Sequence, residues 1–233
     1  MKRILITGAS RGIGLEICTQ LMADGHDVLA TYRSKKTAGS LLDLNDDTKN
    51  LHTFEMDVDS SDSVKSAMSE ISKRFSSLDL VFNNAGILDW SPLDEVSPDS
   101  FRSIYETNVI GVFRVSEEAI PLLRNGHEPL IVNLSSRLGS IKLRGNSQLG
   151  GAIAYQCSKA ALNMLTKQMS IDYAKHGVRA ISISPGWVKT DMGGEEAKYE
   201  VPESVKLFLS RINQLPPESN GIFMGEDGEI IPW

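Results

Sequence analysis

A tyrosine and a lysine stand four positions apart in the segment AYQCSKAALN, as Tyr155 and Lys159. On a helix this spacing places the phenol and the ammonium on the same face. A free tyrosine has a pKa of about 10, so at neutral pH it is a poor acid or base. A neighbouring ammonium favours the phenolate and brings the phenol closer to the operating pH. The pair is therefore a candidate proton donor, although the same spacing also occurs in helices that have no chemical role.

A glycine-rich segment near the start of the chain could hold a phosphate group. TGASRGIG spans residues 7–14 and has glycines at Gly8, Gly12 and Gly14. Glycines let the backbone approach a pyrophosphate closely, and the N–H groups that begin a following helix attract its charge. The spacing differs from the common G-x-G-x-x-G fingerprint, so an ordinary glycine-rich turn is the alternative. The position of the segment, after a predicted strand and before a predicted helix, favours a dinucleotide site.

The residues after the second apolar run indicate which dinucleotide would bind. An NAD site places Asp or Glu there, about twenty residues beyond the glycines, where it binds a ribose. This sequence instead reads TYRSKK, with Arg33 and no carboxylate. A guanidinium would pair with the 2′-phosphate of NADP, and Arg11, Ser34 or Lys35 could assist. We therefore expect NADP(H), with a solvated charged loop as the alternative.

The apolar pattern predicts a scaffold that brings these groups together. Six short β-rich runs alternate with segments of helical period, as in a parallel sheet covered on both faces. The runs are residues 3–7, 27–32, 51–56, 78–83, 129–134 and 179–184. A last strand or hairpin is expected within 221–233, and Ser97 followed by Pro98 predicts the start of a long helix. The pattern indicates one doubly wound α/β domain.

Polar segments stand where several of these strands end. NNAG (83–86) ends the fourth strand and NLSS (133–136) ends the fifth, while TNVIG (107–111) lies within the long helix. Ligands of open parallel sheets bind beyond the carboxyl ends of the strands. Asn84 and Ser136 are therefore expected to share one crevice with the glycine turn.

The composition argues against several classes of protein. A chain of 233 residues with 41% hydrophobic residues can bury one sizeable core. Its net charge of −6 argues against nucleic acid as a partner. Cys18, Cys157 and the four histidines have no metal-ligand spacing, so no metal is expected. The short apolar run of MKRILITGAS does not suit a signal peptide, and no window suits a membrane span, so we expect a cytoplasmic protein.

Taken together, TGASRGIG, NNAG, TNVIG, NLSS, YQCSK and PGWVKTDM (185–192) resemble the short-chain dehydrogenase/reductase family. The resemblance covers nearly the whole chain, in the family's order. SRLGSI, SKAALN, PGWVKTDMGG and the ending DG…IPW look closest to the C-factor/sniffer-type carbonyl reductases. The resemblance implies a Rossmann-type domain over 1–233 with a seven-stranded parallel sheet of order 3-2-1-4-5-6-7. It also implies a cofactor-binding half of about 1–130 and a catalytic and substrate half of about 131–233.

The resemblance further implies an NADPH-dependent oxidoreductase that acts on a small-molecule carbonyl or alcohol. Tyr155 would protonate the carbonyl oxygen, and Ser136 would hydrogen-bond that oxygen. Lys159 would hold the nicotinamide ribose and tune the tyrosine, while Asn108 would keep a water in a proton relay. Alternatively, Asn108 has no role in the reaction and its side chain only forms a hydrogen bond with a helix carbonyl.

The same resemblance implies roles for residues of the cofactor site. The first glycine turn would line the pyrophosphate and ribose, Asp57 and Val58 the adenine, Asn84 the adenosine-side ribose, and Thr190 the nicotinamide carboxamide. Together with Tyr155 and Lys159, the expected cofactor residues are Gly8, Ser10, Arg11, Gly12, Ile13, Gly14, Arg33, Asp57, Val58, Asn84, Ala85, Gly86, Pro185, Gly186, Val188 and Thr190.

One departure from the family pattern concerns the active serine. Ser136 and Tyr155 are 19 positions apart (155 − 136), which is longer than is common in the family. The extra residues, in SIKLRGNSQLGGA, would shape the substrate entrance, or Ser135 would be the active serine in place of Ser136. Ser136 is favoured because the second serine of the pair is the usual one.

Substrate specificity is expected to lie in the loops 88–96, 137–151 and 192–217. A homodimer or homotetramer is expected, because family members often pair through helices like 98–124 and 152–176.

Two other functions remain open: a dinucleotide-binding signalling or sensor protein with little turnover, and a methyltransferase on a similar sheet. The tyrosine and lysine pair weighs against both.

Overall fold

A single parallel sheet forms the centre of the protein. The structure, a computed structural model, describes residues 1–46, 48–145 and 150–233. Its strands are β1 Arg3–Ile6, β2 Asp27–Tyr32, β3 Leu51–Glu55, β4 Leu80–Asn83, β5 Leu130–Leu134, β6 Arg179–Ile183 and β7 Phe223–Met224. They lie in the order β3-β2-β1-β4-β5-β6-β7, and all neighbouring strands are parallel. The predicted fold class and strand order are confirmed.

Helices cover both faces of this sheet. They are α1 Gly12–Ala23, α2 Gly39–Asp46, α3 Ser61–Arg74, α4 Pro98–Tyr105, α5 Gly111–Leu123, α6 Ile153–Asp172 and α7 Val201–Asn213. Short 3-10 turns occur at Lys35–Thr37, Arg137–Gly139 and Ala174–His176, and a π-helical turn at Glu106–Ile110 joins α4 to α5. None of the helices in the described parts of the chain combines the length and the apolar character that crossing a membrane requires.

Two apolar cores follow from the alternation of side chains along the strands. Ile4 and Ile6 of β1 point to the face covered by α1, α2 and α7, while Leu5 points to the face covered by α3, α5 and α6. Strands buried on both faces read as continuous apolar runs, which is why the sequence pattern located them. The two cores fix the strand ends, and thereby the crevice beyond them.

The helix boundaries that the sequence marked are largely as expected. Ser97 Oγ accepts a hydrogen bond of 3.0 Å from Ser100 N, and Pro98 is the first residue of α4. Gly25 and Gly177 adopt positive φ angles of 79° and 72° where helices end. The strand predicted over 78–83 begins only at Leu80. The division into a cofactor-binding half and a catalytic half at about residue 130 stays a prediction. In the structure β4 and β5 pair on either side of that point, within one sheet.

Candidate active site

A cleft of about 850 Å³ opens beyond the carboxyl ends of the strands. It is lined by the glycine turn after β1, by NNAG after β4, by NLSS after β5, by the start of α6 and by the loop after β6. Every residue expected to bind the cofactor lines it, and so do Ser136, Tyr155 and Lys159. Asn108 does not line it, but its neighbour Thr107 does. The structure therefore brings distant motifs to one site.

The glycine turn fits closely against NNAG because two of its positions have no side chain. Gly8 has a φ of 66°, and a Cβ added there would lie 2.8 Å from Ala85 Cα. A Cβ added to Gly14 would lie 2.3 Å from Gly8 O and 2.5 Å from Asn84 Nδ2. Neither position admits alanine without a backbone shift. The tight turn leaves the first turn of α1 at the floor of the cleft.

Asn84 braces this turn through its side-chain amide. Its Nδ2 donates hydrogen bonds of 2.9 Å to both Thr7 O and Gly8 O. Thr7 Oγ1 in return accepts hydrogen bonds of 3.1 Å from Asn84 N and Ala85 N. The amide nitrogen is thus committed to the protein, and only Oδ1 is left for a ligand. The expected contact of Asn84 with a ribose stays a prediction.

The start of α1 has the character of an anion site. The helix begins at Gly12, and its first turn contains no acidic residue. Among the described residues, no side chain caps the helix at Arg11. The first N–H groups of a helix have no partner within the helix, so they and the helix dipole attract an anion. Arg11 itself forms an exposed ion pair with Asp191, across the mouth of the cleft.

The end of the cleft near β2 carries a cation. Arg33 is exposed, directly follows β2 and lines the cleft together with Thr37. On the opposite wall, Asp57 N donates a hydrogen bond of 2.9 Å to Ser63 Oγ, and Val58 is buried beside it. These are the places where a 2′-phosphate and an adenine were expected.

The tyrosine and the lysine face the cleft from α6, as their spacing predicts. Lys159 Nζ lies 5.4 Å from the centroid of the Tyr155 ring. The lysine is only 6% exposed, and its Nζ donates a hydrogen bond of 2.7 Å to Leu134 O. Ser136 lies two residues beyond Leu134, the last residue of β5, and faces the same cleft as Tyr155. A phenol, a hydroxyl and an amine therefore converge at one end of the cleft.

Desolvation dominates the acid–base properties of this pair. Burial raises the pKa of Tyr155 to about 12, and a hydrogen bond with the Ser136 side chain opposes the rise. Burial also lowers the pKa of Lys159 to about 8. Both shifts favour the neutral forms, because charged groups lose solvation in the cleft. The Tyr155–Lys159 spacing predicts a lowered pKa for Tyr155, and in the structure this pKa is instead raised, because burial is its largest cause.

Asn108 lies in the π-helical turn between α4 and α5, behind the end of the cleft that holds Tyr155 and Lys159. It is fully buried, and its Oδ1 accepts a hydrogen bond of 2.9 Å from Ile87 N. Its Nδ2 donates hydrogen bonds of 3.0 Å to Ile87 O and to Ser158 Oγ. These contacts tie the segment after NNAG to α6, so the side chain does more than bond a helix carbonyl. The relay role of Asn108 stays a prediction.

The two serines of NLSS have different environments. Ser135 is 3% exposed, and its Oγ donates a hydrogen bond of 2.7 Å to Asn163 Oδ1. Ser136 is less buried, and its Oγ accepts a hydrogen bond of 3.2 Å from Leu138 N. Asn163 also donates to Gly139 O over 3.3 Å. Asn163, which lies in SKAALN two turns after Tyr155, was not predicted as a site residue.

Several residues that line the cleft were not predicted individually as site residues. They are mostly apolar or aromatic: Thr37, Trp90, Leu138, Trp187 and Met192. Trp90 and Trp187 are 56% and 54% exposed, which is unusual for such large rings. Trp90, Leu138 and Met192 belong to the loops expected to select the substrate. The feature of the sequence that could have identified them is the presence of tryptophans in loops that follow predicted strands. No group of side chains in the described ranges could hold a metal ion.

Comparisons with known proteins show what the chain is similar to. The family model described as short chain dehydrogenase matches residues 2–200. C-signal of Myxococcus xanthus is 39% identical over 157 residues, which cover 67% of this chain and 93% of that protein. The NADPH-bound carbonyl reductase from chicken fatty liver superposes with a TM-score of 0.95 at 35% identity, covering 100% of this chain and 99% of that one. The carbonyl reductase Sniffer of D. melanogaster gives a TM-score of 0.94 at 34% identity, covering 100% of both chains.

Proposed function

We propose that this chain, which belongs to the short-chain dehydrogenase family, is an NADPH-dependent reductase of small carbonyl compounds. The family that its motifs resemble is thus confirmed, and its relatives include Sniffer-type carbonyl reductases and C-signal. The observation that carries the proposal is the convergence of Ser136, Tyr155 and Lys159 at one end of a cleft whose floor is a helix N-terminus.

The residues of the cleft fit a phosphorylated dinucleotide. Gly8 and Gly14 let the glycine turn pack closely against Ala85 and Asn84. The N–H groups at the start of α1, beside this turn, would bind the pyrophosphate. Arg33 would pair with a 2′-phosphate, which an acidic residue would repel. The NADPH in the chicken carbonyl reductase supports this choice, since that protein resembles this chain over its full length. When bound, NADPH supplies the hydride.

Tyr155 would act as the general acid in carbonyl reduction. Its raised pKa keeps the phenol protonated at neutral pH, so the proton to be donated is present. Ser136 would donate a second hydrogen bond to the carbonyl oxygen and stabilise the negative charge that develops there. Both hydroxyls would reach the same oxygen, because the two side chains line the same cleft.

Lys159 would stabilise the phenolate that remains after proton transfer. With a pKa of about 8, its amine is mostly charged at neutral pH. Its Nζ lies 5.4 Å from the centroid of the phenol ring, and Lys159 is only 6% exposed, so water screens the interaction little. In the reverse reaction, alcohol oxidation, the same phenolate would accept the proton.

Oxidation of NADPH by a panel of aldehydes, ketones and quinones tests this function. We expect saturable turnover with at least one carbonyl, and we expect Tyr155→Phe to lower kcat by roughly 10²- to 10⁴-fold. NADPH binding to this variant should change little. Tyr173→Phe, at the far end of α6, is the matched control and should retain activity.

A signalling or sensor role is the second candidate, and the similarity to C-signal favours it. The same assay separates the two, because a sensor would bind NADPH saturably and turn over no carbonyl. The tyrosine and lysine pair would then have no chemical use. A methyltransferase would instead bind S-adenosylmethionine.

We also propose that the protein pairs with itself through the long helices, as the resemblance implies. Four large apolar side chains are exposed on α5, α6 and the adjoining π-helical turn: Ile110, Phe113, Met164 and Ile171. Light scattering on the purified protein would give the oligomeric state, and a monomer at all concentrations would contradict this proposal. The cytoplasmic location stays a prediction.

A further inference from the structure

The turn that follows Ser136 is held by residues 226–233, which follow β7 and are called the clamp segment below. Arg137 is surrounded by three carboxylates of this segment: those of Glu226, Asp227 and Glu229. Its guanidinium donates a hydrogen bond of 3.1 Å to Glu229 and lies 3.6 Å from each of the other two carboxylates. The residue next to the proposed active serine is thus tied to a distant part of the chain.

A second pair of contacts holds the other end of this turn. Ser140 is fully buried, and its Oγ donates a hydrogen bond of 2.5 Å to Pro232 O. Lys142 N donates a hydrogen bond of 3.0 Å to Trp233 O. The Trp233 ring stacks on Phe223 of β7 with 5.6 Å between centroids. The clamp segment therefore packs on the sheet through Trp233 and forms hydrogen bonds with both ends of the segment 137–142.

Helix α6 closes the opposite side of the turn. A Cβ added to Gly139 would lie 2.7 Å from the carbonyl carbon of Lys159, so the turn already touches the helix backbone. Asn163 holds the same glycine through its carbonyl oxygen. The turn cannot move toward α6, and the clamp segment limits movement away from it. The position of Ser136 relative to Tyr155 is set between these two supports.

The burial of one carboxylate distinguishes this arrangement from an ordinary surface ion pair. Glu226 is 5% exposed, and its Oε2 accepts no hydrogen bond from any of the described residues. Burying a carboxylate is costly unless a cation compensates it, and Arg137 is the cation beside it. Glu226 also packs on Gly186, where a Cβ would lie 2.9 Å from the carboxyl carbon. Gly186 lines the cleft, so the same carboxylate supports a second wall of the site.

We propose that Arg137 is a positioning residue, through which the clamp segment sets the Ser136 hydroxyl against the Tyr155 phenol. This inference rests on the proposed function of those two side chains. A small displacement of a catalytic group lowers the rate of the chemical step much more than it lowers cofactor binding. Arg137 should therefore affect kcat, through Ser136, much more than it affects cofactor binding.

A double-mutant cycle tests whether Arg137 acts through Ser136. We expect Arg137→Ala to lower kcat by about 10- to 100-fold. The Kd for NADPH should rise by no more than about threefold, through the contact of Glu226 with Gly186. In the Ser136→Ala background the same change should lower kcat by less than about twofold, because the group that it positions is already absent. Equal effects of Arg137→Ala in both backgrounds would overturn the inference, since they indicate a role independent of Ser136.

Rescue by a conservative variant adds a readout that a purely stabilising role would not move. Arg137→Lys keeps the charge but not the forked geometry, so it should restore part of kcat. In the Ser136→Ala background Arg137→Lys and Arg137→Ala should have the same kcat, because the hydroxyl that Arg137 positions is absent. Arg102→Ala, which removes an exposed arginine of α4 from an ion pair with Asp99, is the control and should leave kcat unchanged.

Failure of this inference is distinguishable from failure of the proposed function. If the wild-type protein turns over no carbonyl, the function fails, and hydrogen exchange at the Leu138 and Leu143 amides still reports the turn. Both amides donate to serine oxygens of the turn, and they should exchange faster in Arg137→Ala. Unchanged exchange at both amides would show that the clamp segment does not hold the turn, and would overturn the inference by itself.

Discussion

Lys159 Nζ donates a hydrogen bond of 2.7 Å to the carbonyl oxygen of Leu134, the last residue of β5. This contact ties α6 to the strand end that leads into Ser136. It does not compensate the cost of burying the ammonium, because the pKa of Lys159 falls to about 8. When the pKa of a group differs between folded and unfolded states, the free energy of unfolding depends on pH.

We expect Lys159→Met to weaken that dependence between about pH 8 and 10.5. In this window the unfolded chain binds the lysine proton and the folded protein does not, so wild-type stability rises with pH. At about 1.4 kcal/mol per pKa unit, the contribution is on the order of 3 kcal/mol over the whole window. Urea unfolding of both proteins without cofactor, at several pH values, measures it.

The matched control for this experiment is Lys167→Met, at an exposed position of the same helix. It should leave the slope of stability against pH close to that of the wild-type protein. The interpretation fails if the two variants change the slope equally, because exposed Lys167 carries no comparable burial.

The two serines of NLSS should give opposite results on replacement by alanine. Ser136→Ala removes a hydroxyl from the cleft, so kcat should fall by about 10²-fold with little change in stability. Ser135→Ala leaves the buried Asn163 Oδ1 without its donor, which should lower the free energy of unfolding by about 1–3 kcal/mol. Its kcat should change only a few-fold. Thermal unfolding and steady-state kinetics on both variants check the assignment, and the reverse pattern would make Ser135 the active serine.

The sequence predicted the fold well because the parallel sheet is buried on both faces. Apart from β3, whose sequence is LHTFE, the first six strands are short, mostly apolar runs between turn residues. Such runs can be recognised without knowledge of their neighbours. The residues at which strands begin and end are harder to predict, since they depend on where the adjacent strand starts to pair. Leu78 and Asp79 were expected in β4, but the strand begins only at Leu80, where pairing with β1 and β5 starts.

Local motifs predicted many of the residues that line the cleft but not the long-range contacts that hold them in place. The glycine turn works through its own backbone, so its spacing alone revealed it. Contacts such as Asn163 with Ser135, or Arg137 with Glu229, join residues 28 and 92 positions apart and have no local pattern. The π-helical turn at Glu106–Ile110 was likewise not expected within the long helix.

Gly14→Ala should disturb the cleft floor more than a glycine replacement elsewhere in a helix. The added Cβ would lie 2.3 Å from Gly8 O, a backbone atom that cannot turn away. We expect a loss of about 1–3 kcal/mol in the free energy of unfolding, together with weaker NADPH binding. Gly39→Ala, in α2, is the control, because no described atom lies within 4 Å of its Cβ. Calorimetry and cofactor titration measure both effects, and equal stability of the two variants would contradict the close packing.

Arg33→Ala tests the choice of cofactor. Arg33 is exposed beside the cleft, so its loss should cost little stability. Hydrogen bonds to charged groups contribute about 1.5–3 kcal/mol, and the Kd for NADPH should therefore rise by roughly 10- to 100-fold. The Kd for NADH should change by less than about twofold, because NADH has no 2′-phosphate for a guanidinium to bind. Fluorescence titration with both cofactors measures the two constants, with Lys36→Ala as a control that removes a neighbouring exposed cation. Equal losses for NADPH and NADH would mean that Arg33 does not recognise the phosphate.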